Sequence, residues 1–362
     1  MEYGFNVPNG GPLAVPEHIA TIARHGEDLG YRILAIPDHI VVPSGIDSPY
    51  PYSPDGTLNF PTLLAGECLE PIALMAYLAG VTTKMRLLTS VMVVPYRQPV
   101  LTAKLLSTID LLSGGRAIVG VGAGWMAEEF PPVGAPPFEA RGRATDEYLQ
   151  IYKELWTADA PRYEGEFASF DNILFHPKPV QKPHPPIWVG GESKPAKRRT
   201  VRHGDAWFPI GCNPRFPMDT LGRFAAGLDD MRAMAEAEGR DPAGIDIAFW
   251  AVWYGASEEP VITDTGERML LSGSADDIAG DIRAMRELGV PARDPRGDPR
   301  HHHPLRRGGA PQGRRVRPPL PEPARCRPNN PTSPCPSPPE EERGSGCAGL
   351  CSLSSPGRRG PG

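Results

Sequence analysis

The sequence predicts a (β/α)8 barrel of the TIM type, and three observations carry that prediction. Seven short apolar runs alternate with helical segments in one series, the order that a closed parallel sheet needs. The clearest unit, Arg86 to Trp125, reads strand, helix, strand, which is a right-handed βαβ crossover. No G-x-G-x-x-G follows the first strand, which argues against an open dinucleotide-binding sheet.

Tyr3 to Val7 reads as a short strand. Pro16 opens a helix with Ile19, Ile22, Ala23, Gly26 and Leu29 at helical spacing, and Gly30 caps it. Ile33 to Ile36 is the second strand and runs into Pro37-Asp38-His39. Ile40 to Pro61 is a long loop rich in Pro, Tyr and Ser, a length that marks a lid or binding element. After a helix from Pro71 to Leu78, Leu87 to Val94 is an aliphatic strand of the kind buried on both faces. Pro95 and Pro99 launch a helix expected to show Leu101, Leu105, Leu106, Ile109 and Leu112 on one side. Ser113-Gly114-Gly115 stops that helix, and Arg116 to Val121 is the fourth strand.

A helix from Arg143 to Trp156 and an insertion from Pro161 to His184 follow. Pro186 to Val189, Ala206 to Pro209 and Ile245 to Tyr254 are strands five to seven, with helices over Lys194 to Arg202 and Arg223 to Glu238. Ser274 caps a last helix, Ala275 to Leu288, with Asp277 completing a weak capping box. An eighth strand should start just past Gly289-Val290. Pro-Ala-Arg-Asp-Pro-Arg stands there instead, so strands one and seven are expected to have open edges.

At 362 residues and 40% hydrophobic content the chain can bury a large core. No apolar run reaches the roughly 18–20 residues of a membrane span, and Met1-Glu2-Tyr3 leads straight into a strand, so a soluble cytoplasmic protein is expected. Residues 1–290 form the expected barrel domain. Residues 291–362 hold 17 Pro, 13 Arg and 6 acidic residues, but no Lys, Ile, Met or aromatic residue. Their net charge is +7 against −12 for the body, and such a composition predicts disorder. A basic nucleic-acid arm would carry Lys and interleaved aromatics, which are missing. The composition is that of high-GC coding DNA read out of frame, and the native frame is expected to be lost soon after Gly289. No metal site is expected from the three tail histidines, and neither nucleic acid nor membrane is an expected partner.

In such a barrel the site lies at the C-terminal ends of the strands, which here are Asn6, Asp38-His39, Ser90-Val91, Gly122 to Gly124, Gly190-Gly191 and Pro209. Asp38-His39 is the acid–base candidate, because an imidazole exchanges protons near neutral pH; a capping or surface histidine is the plain alternative. Gly190-Gly191-Glu192-Ser193 ahead of a helix suits a phosphate, with Lys194 and Lys197 supplying charge. It also suits a simple helix entry with Ser193 as N-cap, and Glu192 repels phosphate unless it points outward. Trp125 with Tyr50 and Tyr52 shapes an apolar pocket, or Trp125 is core.

The wording of Arg86–Trp125, together with Asp38-His39, closely resembles the bacterial luciferase-like superfamily, most nearly its coenzyme F420-dependent branch. The resemblance covers roughly residues 1–290. It implies hydride transfer between F420 and a small organic substrate, with His39 as proton donor or acceptor and Asp38 against the coenzyme. It further implies a cis peptide at Ser90–Val91 that supports the ring, with Gly122 beside it. Gly190, Gly191, Ser193 and Lys194 fall where relatives bind the phosphate, and a homodimer is expected. The alternatives are an FMN-dependent monooxygenase using O2, a non-redox sugar-phosphate barrel, and a catalytically inactive truncated barrel. Relatives that oxidise sugar phosphates carry a Glu soon after the fourth strand, where Ala123 lies here, and an Asn where Met126 lies. That departure argues against the sugar-phosphate assignment.

Overall fold

A computed structural model describes residues 1–251 and 259–290. The first strands and helices are β1 (Gly4–Asn6), α1 (Pro16–Asp28) and β2 (Ile33–Ile36). After the long loop come α2 (Pro61–Leu64), α3 (Pro71–Val81), β3 (Arg86–Thr89) and β4 (Met92–Val93). Next are α4 (Pro99–Ser113), β5 (Ala117–Gly122) and α5 (Arg141–Thr157). The insertion forms a small antiparallel pair, β6 (Tyr163–Glu164) with β7 (Ser169–Phe170). The described residues end with β8 (Ile187–Gly190), α6 (Lys194–His203), β9 (Ala206–Phe208), α7 (Leu221–Ala237), β10 (Asp246–Ile247) and α8 (Ala275–Glu287).

The main sheet runs β1-β2-β3-β5-β8-β9-β10, with β4 also on β5, and every pairing is parallel. It curls into part of a TIM-type barrel. Side chains alternate along each strand, and the two faces pack into different clusters. Leu34, Ile36, Leu87, Val119 and Val189 pack in the large cluster that also holds Leu78, Leu106 and Trp156 from the helices. Ile33, Leu88, Ile118 and Phe208 form a second cluster, with Trp188 and Trp250 against it. Burial on both faces is why these strands read as unbroken apolar runs.

Three expectations need correction. The run Leu87 to Val94 is two strands, because the chain bulges at Ser90-Val91 and only β3 pairs with β2. On α4 the buried side is Ala103, Leu106 and Ile109, while Leu101, Leu105 and Leu112 are 57%, 39% and 69% exposed. The helix is apolar nearly all round, so spacing alone could not say which side meets the sheet. Among the described residues strand seven is the pair Asp246–Ile247, extended by a bridge from Ile210 to Trp250. Elsewhere local signals suffice: Ser274 and Asp277 form a complete capping box at α8.

Among the described residues, β1 pairs only with β2 and β10 only with β9. Beside β10 lies an open groove of about 830 Å³, lined by Met231, Ile245, Ile247, Arg283, Gly289 and Val290. It sits at the start of the strand, away from the strand ends that carry the candidate site. The reading of residues 291–362 lies outside the described residues, as does the far end of predicted strand seven. Among the described residues no helix is long and apolar enough to cross a membrane.

Candidate active site

β2 delivers Asp38 and His39 to the rim, and their side chains are used differently. Asp38 is 5% exposed, and both its oxygens accept from the Arg97 guanidinium at 2.8 Å. One of them also accepts the Val93 N–H at 2.8 Å. Its carboxylate thus mends the seam between β2 and β4 that the bulge opens. Arg97 in turn reaches Glu70, the N-cap of α3. Burial pulls the Arg97 pKa down, but the Asp38 and Glu70 carboxylates outweigh it and hold the group above its usual value.

His39 points elsewhere. Its Nδ1 lies 2.8 Å from Oε2 of Glu129, a carboxylate with no exposed surface. Tyr96 donates to the same oxygen at 3.0 Å, while the Ile40 and Val41 N–H groups donate to Oε1 at 2.7 and 3.2 Å. Burial, then Glu129, drives the Tyr96 pKa up, so the phenol keeps its proton. Glu129 was not a candidate from the sequence. Its only signal was a pair of acids, Glu128-Glu129, inside an apolar Pro- and Gly-rich stretch. Glu128 accepts the N–H groups of Asp47 and Ser48 at 2.9 and 2.8 Å. Adjacent carboxylates therefore hold two points of the long loop.

The Ser90–Val91 peptide is cis, the geometry the resemblance implies. Val91 lies across the ends of β5 and β8. A Cβ on Gly122 would come within 2.7 Å of one of its methyls, and a Cβ on Gly190 within 2.9 Å of the other. The glycines at these two positions therefore make room for Val91. The Ser90 hydroxyl is buried and has no hydrogen-bond partner among the described residues. An orphan hydroxyl beside a bulge suits the polar edge of a ligand ring.

The turn after β8 has Gly191 at φ +102°, a conformation that favours glycine. Ser193 is the N-cap of α6, accepting from the Ala196 N–H, and Lys194 is exposed at the first helical position. Lys197 is not available for a phosphate: its ammonium pairs with Asp230 at 2.7 Å and lies over the Trp207 ring. Glu192 turns inward rather than outward, accepting from Ile210 N–H at 2.8 Å and Asn213 Nδ2 at 2.7 Å. Burial raises its pKa, opposed by the hydrogen bonds from Ile210 and Asn213.

Over this floor the long loop brings an aromatic group. Tyr50 meets Tyr52, Phe60 and Trp125 edge-on, with centroids 5.5, 5.6 and 5.3 Å apart, and Trp125 meets His39 at 6.3 Å. Burial, helped by the nearby Cys212, pushes the Tyr50 hydroxyl up to about 12. Trp125 is part of a wall beside His39, not of the core.

Comparison gives this arrangement a class. The fold is similar to that of the F420-dependent tetrahydromethanopterin reductase of Methanopyrus kandleri, with a TM-score of 0.61 over 80% of this chain and 91% of that one, at 16% identity. A monooxygenase from Streptomyces bottropensis gives 0.57 over 80% and 90%, at 19% identity. These likenesses concern the fold. The luciferase-like monooxygenase model matches residues 1–259, and the chain belongs to that family. An uncharacterized protein of Mycobacterium tuberculosis is 36% identical over 59% of this chain and 71% of its own length. The FMNH2-dependent dimethylsulfone monooxygenase of Pseudomonas putida is 34% identical over 47% of this chain and 45% of its own.

Proposed function

We propose that this chain is an F420-dependent oxidoreductase that moves a hydride between the coenzyme and a small organic substrate, with His39 as proton donor or acceptor. The observation that carries the reading is the bulge at Ser90-Val91 on the strand beside the one that ends in His39. The residues present fit a flavin-type group: the Ser90 hydroxyl lacks a partner among the described residues, and a glycine turn leads into α6. Ser90 and Val91, with Gly122 behind Val91, would hold the ring, and Gly190, Gly191, Ser193 and Lys194 its phosphate. A bound deazaflavin supplies two-electron hydride chemistry at C5. In the oxidising direction His39 takes the proton that the substrate loses with its hydride, and in the reducing direction returns one. Asp38 keeps the histidine-bearing segment tied to β4. Trp125, Tyr50 and Tyr52 exclude water and favour an apolar substrate.

A second reading, an FMN-dependent monooxygenase using O2, draws on the identity to the dimethylsulfone enzyme. Titrating the full chain with F420 and with FMN while following fluorescence quenching separates the two. Saturable quenching by F420 with weaker FMN binding is expected. Tight FMN binding without F420 binding would favour the monooxygenase, and binding of neither would favour an inactive barrel. The leucine face of α4 (Leu101, Leu105, Leu112) is the surface through which we expect two copies to pair.

A further inference from the structure

We propose that Glu129 is the positioning residue for His39, holding the ring as the Nδ1–H tautomer so that Nε2 alone exchanges protons. This rests on the reading that His39 carries a proton in turnover. Glu129 accepts from two backbone N–H groups at Oε1, and meets Tyr96 Oη and His39 Nδ1 at Oε2. An ionised carboxylate satisfies all four donors at once, whereas a protonated one would lose an acceptor position at a fully buried site. The hydrogen therefore stays on Nδ1. Among the described residues the basic side chain that Glu129 meets within ion-pair distance is His39, which carries charge only when Nε2 also holds a proton.

The surroundings reinforce this division. Asp38 is engaged by Arg97, and Arg97 is shared with Glu70. The Cys68 thiol and the Tyr96 phenol both feel the Glu129 charge, and burial raises the pKa of each, keeping them neutral. When Nε2 takes a proton the ring becomes an imidazolium facing a carboxylate. When it gives that proton up, the Nδ1–H tautomer returns, and Glu129 gains or loses nothing. Ile40 and Val41 on the same carboxylate tie the ring to its own backbone, which fixes the direction of Nε2.

Long-range proton–nitrogen NMR on the full chain labelled at histidine tests this without any cofactor. The His39 signals are identified by their loss in His39→Gln. The expected spectrum of neutral His39 has the proton on Nδ1. In Glu129→Gln the side-chain amide can donate to Nδ1, so the proton should move to Nε2. Turnover should then fall about 100-fold or more with KM within a few-fold. Tyr96→Phe, which leaves the carboxylate in place, should keep the tautomer and most of the rate. A wild-type His39 protonated on Nε2 would overturn the proposal, whether or not Glu129→Gln folds. So would a Glu129→Gln protein with unchanged tautomer and turnover. Failure to bind F420 or FMN would instead count against the proposed function and leave the tautomer result standing.

Discussion

Asp38 and His39 are adjacent in the chain, and substituting each should produce opposite effects. Asp38→Asn removes the charge opposite a buried guanidinium and puts an NH2 donor where one of the two oxygens accepts from Arg97, so the bidentate pair is lost. It should cost about 3 kcal/mol, read as a lower midpoint in urea unfolding. His39→Gln should leave that midpoint nearly in place, keep cofactor quenching, and lower turnover by about 10²- to 10⁴-fold. His39 was legible in the sequence because it ends a strand and begins a long loop. Glu129 was not, since nothing local says that a turn some ninety residues later folds back over it. The inward turn of Glu192 and the Lys197–Asp230 pair were hidden for the same reason: each depends on a partner from a distant element.

Helices and strands carry their own consequences. His203 closes α6, where burial lowers its pKa to about 4, helped by Lys153, Arg199 and Arg202 and opposed by Asp146. The unfolded chain takes up that proton near about 6.5, the folded chain only near about 4, so in this window the unfolded state binds more protons. Stability should therefore fall as pH drops through that window. Melting temperatures measured across it should fall less steeply in His203→Gln. Helix ends were readable because caps are local: Ser193, Ser274 and Gly114 mark them from sequence. The break between β3 and β4 was not, because Thr89 and Ser90 fit within a strand and give no sign of where pairing switches from two neighbours to one. That switch depends on Asp38, supplied by another strand.

For the whole molecule, the order of parallel strands follows from the alternation of apolar runs and helices, and it was legible throughout. So was the open barrel: the lack of an eighth apolar run past Val290 predicts the two free edges, and among the described residues β1 pairs only with β2 and β10 only with β9. The exposed leucines of α4 are the surface proposed above for pairing of two copies. Leu101→Glu combined with Leu105→Glu should convert a dimer to a monomer, halving the mass measured by light scattering after gel filtration. The melting temperature should change little, because neither side chain is buried within one chain. An unchanged mass in the double variant would remove this face as the pairing surface.

The paired grip of Glu128 and Glu129 on residues 40–48 has a practical consequence for exchanging specificity between relatives. The loop and the short turn that holds it are separate in sequence but form one mechanical part. Transplanting residues 40–61 alone would graft a lid without its hinge pins. Moving it together with 125–129 transfers the aromatic wall and its anchor as a working unit.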